Sequence, residues 1–377
     1  MANVLITGGA GFIGSRLALR LVDEGHAVTV LDTLSPQIHG DKPYNSPLFS
    51  SISGKVRFLL GSVTDRMATS EALEGQDLIV HLAAETGTGQ SMYQIAHYSD
   101  VNVGGTALML DLLANTPHRV KRIVVASSRS IYGEGRYHSP ELGDVYPGAR
   151  SSEDMQRGDF EVKYPGATMP LELVATHEES KIHPASVYGI TKHVQEQLVM
   201  TVCPSIGVEG VALRYQNVFG PGQSLSNPYT GILSIFSNLM MQGQPINVFE
   251  DGTESRDFVF IDDVVAATAL ALMHPAAANQ VFNVGTGVPI SVMRVAETLR
   301  SLIGAEVPIN ITGNFRIGDI RHNYASMDKI SEKLGFAPTY DFDRGIAEFV
   351  GWATAMGAQA SGYDASLSEM RAKGLLK

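Results

Sequence analysis

The 377-residue chain holds one cysteine, Cys203, and one tryptophan, Trp352. A single cysteine excludes an internal disulfide and any multi-cysteine metal site. Basic residues are scarce, 28 Lys and Arg against 39 Asp and Glu, for a net charge of −11. That balance argues against nucleic acid or an anionic membrane as the main partner, and any bound anion must be held by local basic groups working against the overall field. No apolar run reaches the roughly 18 residues needed to span a bilayer. Met1-Ala2-Asn3 leads straight into an apolar strand, so neither a membrane span nor a secretory leader is expected and the expected compartment is the cytoplasm. There is no low-complexity block and no internal repeat. What remains is the composition of an ordinary globular enzyme, 44% hydrophobic and 18% charged, long enough for two lobes at about 100–200 residues per domain.

The most informative stretch opens the chain. Val4-Leu5-Ile6 reads as a buried parallel strand. It breaks into Gly8, Gly11 and Gly14 and then into a helical pattern carried by Ile13, Leu17, Leu21 and Val22. Spaced glycines allow a tight turn and close backbone approach, and a helix N-terminus presents unpaired N–H groups to a pyrophosphate. A second apolar strand, Val28-Thr29-Val30-Leu31, ends at Asp32, where a carboxylate can take an adenosine ribose hydroxyl. Strand, turn, helix and terminal acid together predict a dinucleotide site. An acid with no arginine directly after it favours NAD over NADP, Arg57 being a more distant base able to reach a 2′-phosphate.

Strand and helix signals then alternate, with strands expected at 56–60, 78–84, 122–128 and 210–215 and a helix at 98–113. This is the pattern of a doubly wound, Rossmann-type parallel α/β sheet, whose ligands lie beyond the carboxyl ends of the strands. Ala83, Ala84, Ser127 and Ser128 end such strands and belong over the cofactor. Between 133 and 186 the periodicity fails in a stretch rich in Gly, Pro, Tyr and acids; loops of this length are generally functional or disordered, and the expectation here is a lid over the substrate or, alternatively, a solvated ornament. Helices are expected again at 230–242, 261–273, 292–302 and 342–355. The resulting division places a Rossmann domain at 1–219, with 134–186 as an inserted loop region and 257–285 returning to it, and a smaller C-terminal α/β substrate-binding lobe in 220–377.

Tyr188 and Lys192 stand one helical turn apart and share a face. A tyrosine is a poor base at neutral pH, with an ordinary pKa of about 10, and a nearby ammonium lowers that value by stabilising the phenolate. With a hydroxyl from Ser128, these groups suit removal of a proton from an alcohol whose carbon passes hydride to a nicotinamide. Tyr-x-x-x-Lys alone is common on helix surfaces; its place after a dinucleotide fingerprint and a Ser-Ser strand end gives it meaning.

Taken together, the motifs resemble the extended short-chain dehydrogenase/reductase family of NAD-dependent nucleotide-sugar epimerases and dehydratases. The resemblance rests on Thr7 to Gly14, His81-Leu82-Ala83-Ala84, Asn102 with Gly105-Thr106, Ser127-Ser128 with Tyr132-Gly133, and Tyr188 with Lys192. It continues through Leu213-Arg214-Tyr215, Asn217, Arg256-Asp257, Phe282-Asn283-Val284-Gly285 and Arg316 with Asp319, and so covers nearly the whole chain. It implies that Gly8, Gly11, Phe12, Ile13, Gly14, Asp32, Val63, Ala83, Ala84, Asn102, Tyr188 and Lys192 surround NAD, with Ser62 and Leu82 beside them. It further implies that Ser128, Asn217, Arg256 and Arg316 hold a nucleotide-diphosphate sugar. Competing uses are a salt bridge from Arg256 to Asp257 or Glu254, and Arg321 in place of Arg316. Two positions depart from the family pattern: Ser62 where an acid usually receives the adenine amino group, and Gln216 where an aromatic often stands.

Dehydratases of this family carry an Asp-Glu pair after the catalytic hydroxyl, whereas here the run is Ser128-Arg129-Ser130. Groups for eliminating water are missing, which points to an epimerase. The insert and Leu225-Ser226-Asn227-Pro228-Tyr229 look like those of the dTDP-L-rhamnose 4-epimerases, which make dTDP-6-deoxy-L-talose. Some of these carry Cys-x-x-Cys in the insert; 160–169 has none, so no metal is expected. The alternatives are the same chemistry on a UDP-hexose or UDP-uronate and, more distantly, a non-catalytic NAD sensor. Similar proteins are usually homodimers through two helices per subunit, and the apolar helices near Thr106 and Lys192 permit this.

Overall fold

The computed structural model describes all residues except Thr230. Seven strands form the central sheet: β1 (Asn3–Thr7), β2 (Ala27–Asp32), β3 (Arg57–Leu60), β4 (Leu78–His81), β5 (Arg122–Ser128), β6 (Glu209–Tyr215) and β7 (Gln280–Val284). Their order is β7-β6-β5-β4-β1-β2-β3, every pair parallel. The chain is a Rossmann-like α/β protein. Strand order reverses at β1, which lies between β2 and β4 with Thr7 in register with His81; this is the crevice where doubly wound sheets bind ligands.

Both faces of the sheet are covered, because successive side chains on a strand point to opposite sides. Val4 and Ile6 enter one core with Leu17 and Leu21 of helix α1 (Phe12–Asp23). Leu5, Ile79 and Ile123 enter the other, with Met109 and Leu113 of α2 (Gly105–Asn115) and Val199 and Cys203 of α3 (Val187–Ser205). The buried Cys203 thiol is pushed up to about 12 by its apolar surroundings, which makes it a packing residue. Val264 and Val265 of α4 (Ile261–Met273) join the first core. Arg122 closes the end of α4 by donating to the carbonyls of Ala271, Leu272 and His274 at 2.8–3.0 Å, a cation placed where a helix C-terminus is negative.

Three expectations are corrected. The helix expected over 98–113 begins as a π-helical turn, Ser99–Gly104, before α2; such turns are frequent at functional sites. The stretch 133–186 contains a three-stranded antiparallel sheet of Tyr137–Ser139, Gly143–Val145 and Glu172–Leu173 and a short helix, Ser152–Gln156. Strands of two or three residues are too short to show a period in sequence. The same stretch is pinned to the rest of the chain: the buried Arg150 meets both oxygens of the buried Glu250 at 2.7 Å, and Glu161 meets Arg321 at 2.7 Å. Finally, the helix expected at 230–242 is Ile232–Met241, its expected first residue lying outside the described residues. Near the end of the chain, α5 (Tyr363–Ala372) is followed by a bridge between Leu376 and Arg316. Among the described residues no helix is long and apolar enough to cross a membrane.

Candidate functional site

The turn after β1 has the geometry its glycines predict. Gly8 has φ +68°, and a Cβ there would lie 2.8 Å from the Ala83 nitrogen; one on Gly14 would lie 2.6 Å from the Gly9 Cα. Glycine loop, β4 and α1 therefore approach more closely than any side chain permits. The N-cap of α1 is Gly11, with no capping side chain and no acid in the first turn, so the free N–H groups beginning with Phe12 and Ile13 face an uncapped, positive helix end suited to an anion. Asp32 accepts from the Ala10 nitrogen at 3.0 Å and the Leu34 nitrogen at 2.8 Å. It thus braces the loop, and each oxygen keeps a further lone pair for a ribose hydroxyl. Arg57, the remote base, is an exposed partner of Glu71 at 3.0 Å. These residues fit a dinucleotide without a 2′-phosphate.

Around this loop the remaining positions divide into walls and struts. Val63 is buried, and a Cβ on Gly105 would lie 2.5 Å from its side chain; Ser62 is turned onto Thr64 at 2.8 Å. Leu82 and Ala83 carry the chain from β4 across Gly8 and on to Ala84. Asn102 is fully buried, with both amide hydrogens used, one on the Glu85 carbonyl at 3.1 Å and one on the Thr191 hydroxyl at 2.9 Å, while its oxygen accepts from the Glu85 nitrogen at 2.7 Å. It offers no free donor and holds the 82–85 loop against α3.

Tyr188 and Lys192 emerge from the first turns of α3, whose N-cap Ser186 accepts from the Gly189 nitrogen and whose Tyr188 nitrogen donates to Ser91 at 3.0 Å. β5 delivers Ser128 alongside. The Ser128 oxygen accepts from both the nitrogen and the hydroxyl of Ser130, at 3.1 and 2.9 Å, which leaves its own proton for the hydrogen bond to the Tyr188 oxygen. The electrostatics differ from the sequence expectation. Burial raises the Tyr188 phenol, and the Ser128 bond and the Arg129 charge pull it down. Lys192, buried without a carboxylate, is itself lowered to about 7. The first charge acting on the phenol is therefore Arg129, and the cost of desolvation exceeds it.

Beyond Ser128 opens a cleft of about 240 Å³ lined by Arg129, Asn217, Arg256 and Arg316. The buried Arg256 bonds Asp319 at 2.8 Å and the carbonyls of Ser255, Ile320 and Arg321 at 2.6–2.9 Å. Its ion pair is thus with Asp319, neither Asp257 nor Glu254. Arg316 stacks on Phe249, 4.8 Å from the ring centre, and its buried Nε has no partner among the described residues. The rival Arg321 is fully buried and bound to Glu161, Glu250, Asp251 and Thr253. It is structural.

Three residues in or beside this site were not legible as site residues. Arg129 lies in the cleft with its Nε donating to Asn217 at 2.5 Å, and burial and the neighbouring Arg256 bring its guanidinium down to about 9. Two guanidinium groups crowded in one cleft are relieved by an anion between them; a base directly after Ser128 in so acidic a chain was the available signal. Gln216 keeps both amide atoms buried and unpartnered among the described residues. Glu254 is buried on the cleft with an unpartnered Oε2, and burial and Glu250 push its carboxyl up to about 7. A raised carboxyl keeps its proton in the folded state between the ordinary value near 4.5 and about 7, so its contribution to stability is full below that window and falls as pH rises through it. Glu254→Gln removes the fall. Its unfolding free energy relative to the parent is expected to grow by roughly 3 kcal/mol from pH 4.5 to 7, measured by urea unfolding; a pH-independent difference would refute the assignment.

A family model described as the NAD dependent epimerase/dehydratase family matches residues 4–152 and 164–285. A dTDP-L-rhamnose 4-epimerase of Burkholderia thailandensis is 36% identical over 352 residues, 93% of this chain and 94% of that one. Among solved structures, the UDP-glucose 4-epimerase of Thermotoga maritima with UDP-glucose superposes with a TM-score of 0.75 at 27% identity, covering 94% of this chain and 99% of that one. MoeE5 in complex with UDP-glucose and NAD gives 0.74 at 28%, with the same coverage. With the glycine loop, Asp32 and the Tyr188 helix placed around one crevice, the chain belongs to the NAD-dependent epimerase/dehydratase family, and NAD is its cofactor.

Proposed function

We propose that this protein is a nucleotide-sugar 4-epimerase that converts dTDP-L-rhamnose to dTDP-6-deoxy-L-talose. The observation that carries the reading is the hydroxyl run Ser130–Ser128–Tyr188 beside a cleft lined by Arg129, Arg256 and Arg316, with Arg129 standing directly after Ser128 where the acid pair of a dehydratase would follow. In this reading 1–219 with 257–285 hold NAD, and the rest of 220–377 holds most of the nucleotide sugar. Arg129, Arg316 and Asn217 grip the diphosphate, Arg256 closing on it from its place beside Asp319. NAD, when bound, takes hydride from C4 of the sugar and returns it.

The chain's own residues manage the proton. Tyr188, as phenolate, removes the proton of the 4-hydroxyl; Ser128 turns its own proton from the Tyr188 oxygen to the sugar oxygen, first as the alcohol and then as the ketone; the Arg129 and Lys192 charges stabilise the phenolate. The ketone turns in the cleft so that its opposite face would receive the hydride at C4, and Tyr188 gives the proton back to the 4-oxygen. Atoms and electrons balance within one turnover, so no external reductant is consumed. The choice of dTDP-L-rhamnose draws on the Burkholderia thailandensis relative. The same chemistry on a UDP-hexose or uronate is the second reading, favoured by similarity to a putative UDP-glucose 4-epimerase of Methanocaldococcus jannaschii at 28% identity over 93% of this chain and 97% of that one.

The test is to incubate the protein with NAD and dTDP-L-rhamnose and follow the sugar by NMR. A second 6-deoxy epimer without net NADH absorbance is expected. Conversion of a UDP-hexose or uronate alone would overturn the substrate and keep the mechanism; inertness towards every sugar would overturn both in favour of a sensor.

A further inference from the structure

A closed chain of hydrogen bonds runs through the interior from the glycine loop to Lys192, and its direction can be worked out link by link. Thr106 donates its only hydroxyl proton to the Asn102 carbonyl at 2.6 Å. Its oxygen must therefore accept from its other two neighbours, Gln195 Nε2 at 2.9 Å and His81 Nε2 at 2.9 Å. His81 carries its proton on Nε2, so Nδ1 is the bare acceptor of the Thr7 hydroxyl at 2.7 Å. The Thr7 oxygen in turn accepts from the Ala83 nitrogen at 3.3 Å. Each of these five hydrogen bonds has one donor and one acceptor, and Gln195 Nε2 also lies 3.4 Å from His81 Nε2, a looser contact between two donors in this assignment. All five side chains are buried, where a mismatched polar group costs the most.

This arrangement leaves Gln195 no choice of orientation. Turning its amide over would set its oxygen against the Thr106 oxygen, which has no proton left to give, and its NH₂ against the Lys192 ammonium. Gln195 Oε1 consequently faces Lys192 Nζ, at 2.9 Å. An ammonium has three donors, and this is the one with a protein partner among the described residues. We infer that Gln195, oriented by the Thr7–His81–Thr106 chain, is the positioning residue of Lys192: it fixes Nζ at the crevice between β1 and β4 and supplies the acceptor that favours the ammonium.

The surroundings make that acceptor matter. The titratable groups facing Lys192 are His81 from β4 and Tyr188 from its own helix. β5 brings the Ser128 hydroxyl, and the π-helical turn brings Asn102. His81 is held neutral by burial and by Lys192 itself, down to about 3. Two carboxylates on adjoining segments are engaged elsewhere: Glu196 with Arg214 at 2.6 Å and Glu85 with His97 at 3.2 Å. Burial lowers Lys192, and Gln195 Oε1, at 2.9 Å, is its hydrogen-bond acceptor among the described residues. The sequence marks none of this, since Gln195 lies 89 and 114 positions from Thr106 and His81.

The inference rests on the proposed role of Lys192 in turnover, and its test separates the two. NAD affinity by calorimetry and turnover of the accepted nucleotide sugar are each measured against pH for the parent, Gln195→Leu, Gln195→Glu and Lys192→Met. Loss of the acceptor in Gln195→Leu is expected to move the limb that titrates with Lys192 down by about one pH unit in both profiles. A carboxylate in Gln195→Glu is expected to move it up by a similar amount, about one unit. A residue that only fills space would change amplitudes and leave the limbs in place. Unmoved limbs in both variants, with Lys192→Met inactive, would overturn the inference alone; an active Lys192→Met would overturn the role of Lys192. If Gln195→Leu fails to fold, the direction of the Gln195→Glu limb decides.

Discussion

Tyr188→Phe is expected to turn over about 10²–10⁴-fold more slowly than the parent, the range by which a positioned acid–base group accelerates proton transfer. The phenol oxygen is the only atom lost. Its side-chain hydrogen-bond partner among the described residues is Ser128, which lies at the end of a strand held from both sides by β4 and β6. The fold should therefore barely notice, losing about 1 kcal/mol for one hydrogen bond. NAD and the nucleotide sugar should bind within a few-fold of the parent. Because burial raises the phenol, turnover of the parent should climb with pH as the phenolate forms. Single-turnover kinetics and calorimetry on the same preparation check both statements. A variant retaining a tenth of parental turnover would exclude Tyr188 as the base.

Asp257→Ala is expected to be the most damaging single change to stability, by about 3–5 kcal/mol, out of a total that is commonly about 5–15 kcal/mol. Asp257 is fully buried in the strand Ser255–Phe260. It accepts from the nitrogen and hydroxyl of Thr286 at 2.8 and 2.7 Å, from the Gly287 nitrogen at 2.9 Å and from the Ala325 nitrogen at 3.2 Å. Alanine would leave these donors facing a hole. The damage should also reach the cleft, since Asp257 anchors the strand whose preceding residue is Arg256. Urea unfolding gives the first number and the KM for the nucleotide sugar the second. A loss under 1 kcal/mol would mean that water satisfies the loop.

Some of this protein is determined by neighbours in sequence. The buried parallel strands are written as apolar runs, the phosphate loop as glycines whose missing Cβ atoms allow contact between Gly8 and Ala83, and the shared face of Tyr188 and Lys192 as a four-residue step along a helix. Each is a local rule of backbone geometry, and each holds in the structure. The reversal of strand order at β1 follows from the same alternation of elements, and it places those local pieces around one crevice.

What only the tertiary structure decided are the choices between partners far apart in the chain. Arg256 finds Asp319, 63 residues away, instead of its neighbour Asp257, because adjacent residues on a strand face opposite sides. Arg321 is consumed by the buried Glu250 and the more exposed Glu161 and Asp251, which leaves Arg316 for the cleft. The stretch 133–186 is pinned by Arg150 and Glu250, a pair 100 residues apart. The charge states of Tyr188 and Lys192 belong here too. Their spacing brings them together, but burial sets how much each ionised form costs, and burial is a property of everything packed around them.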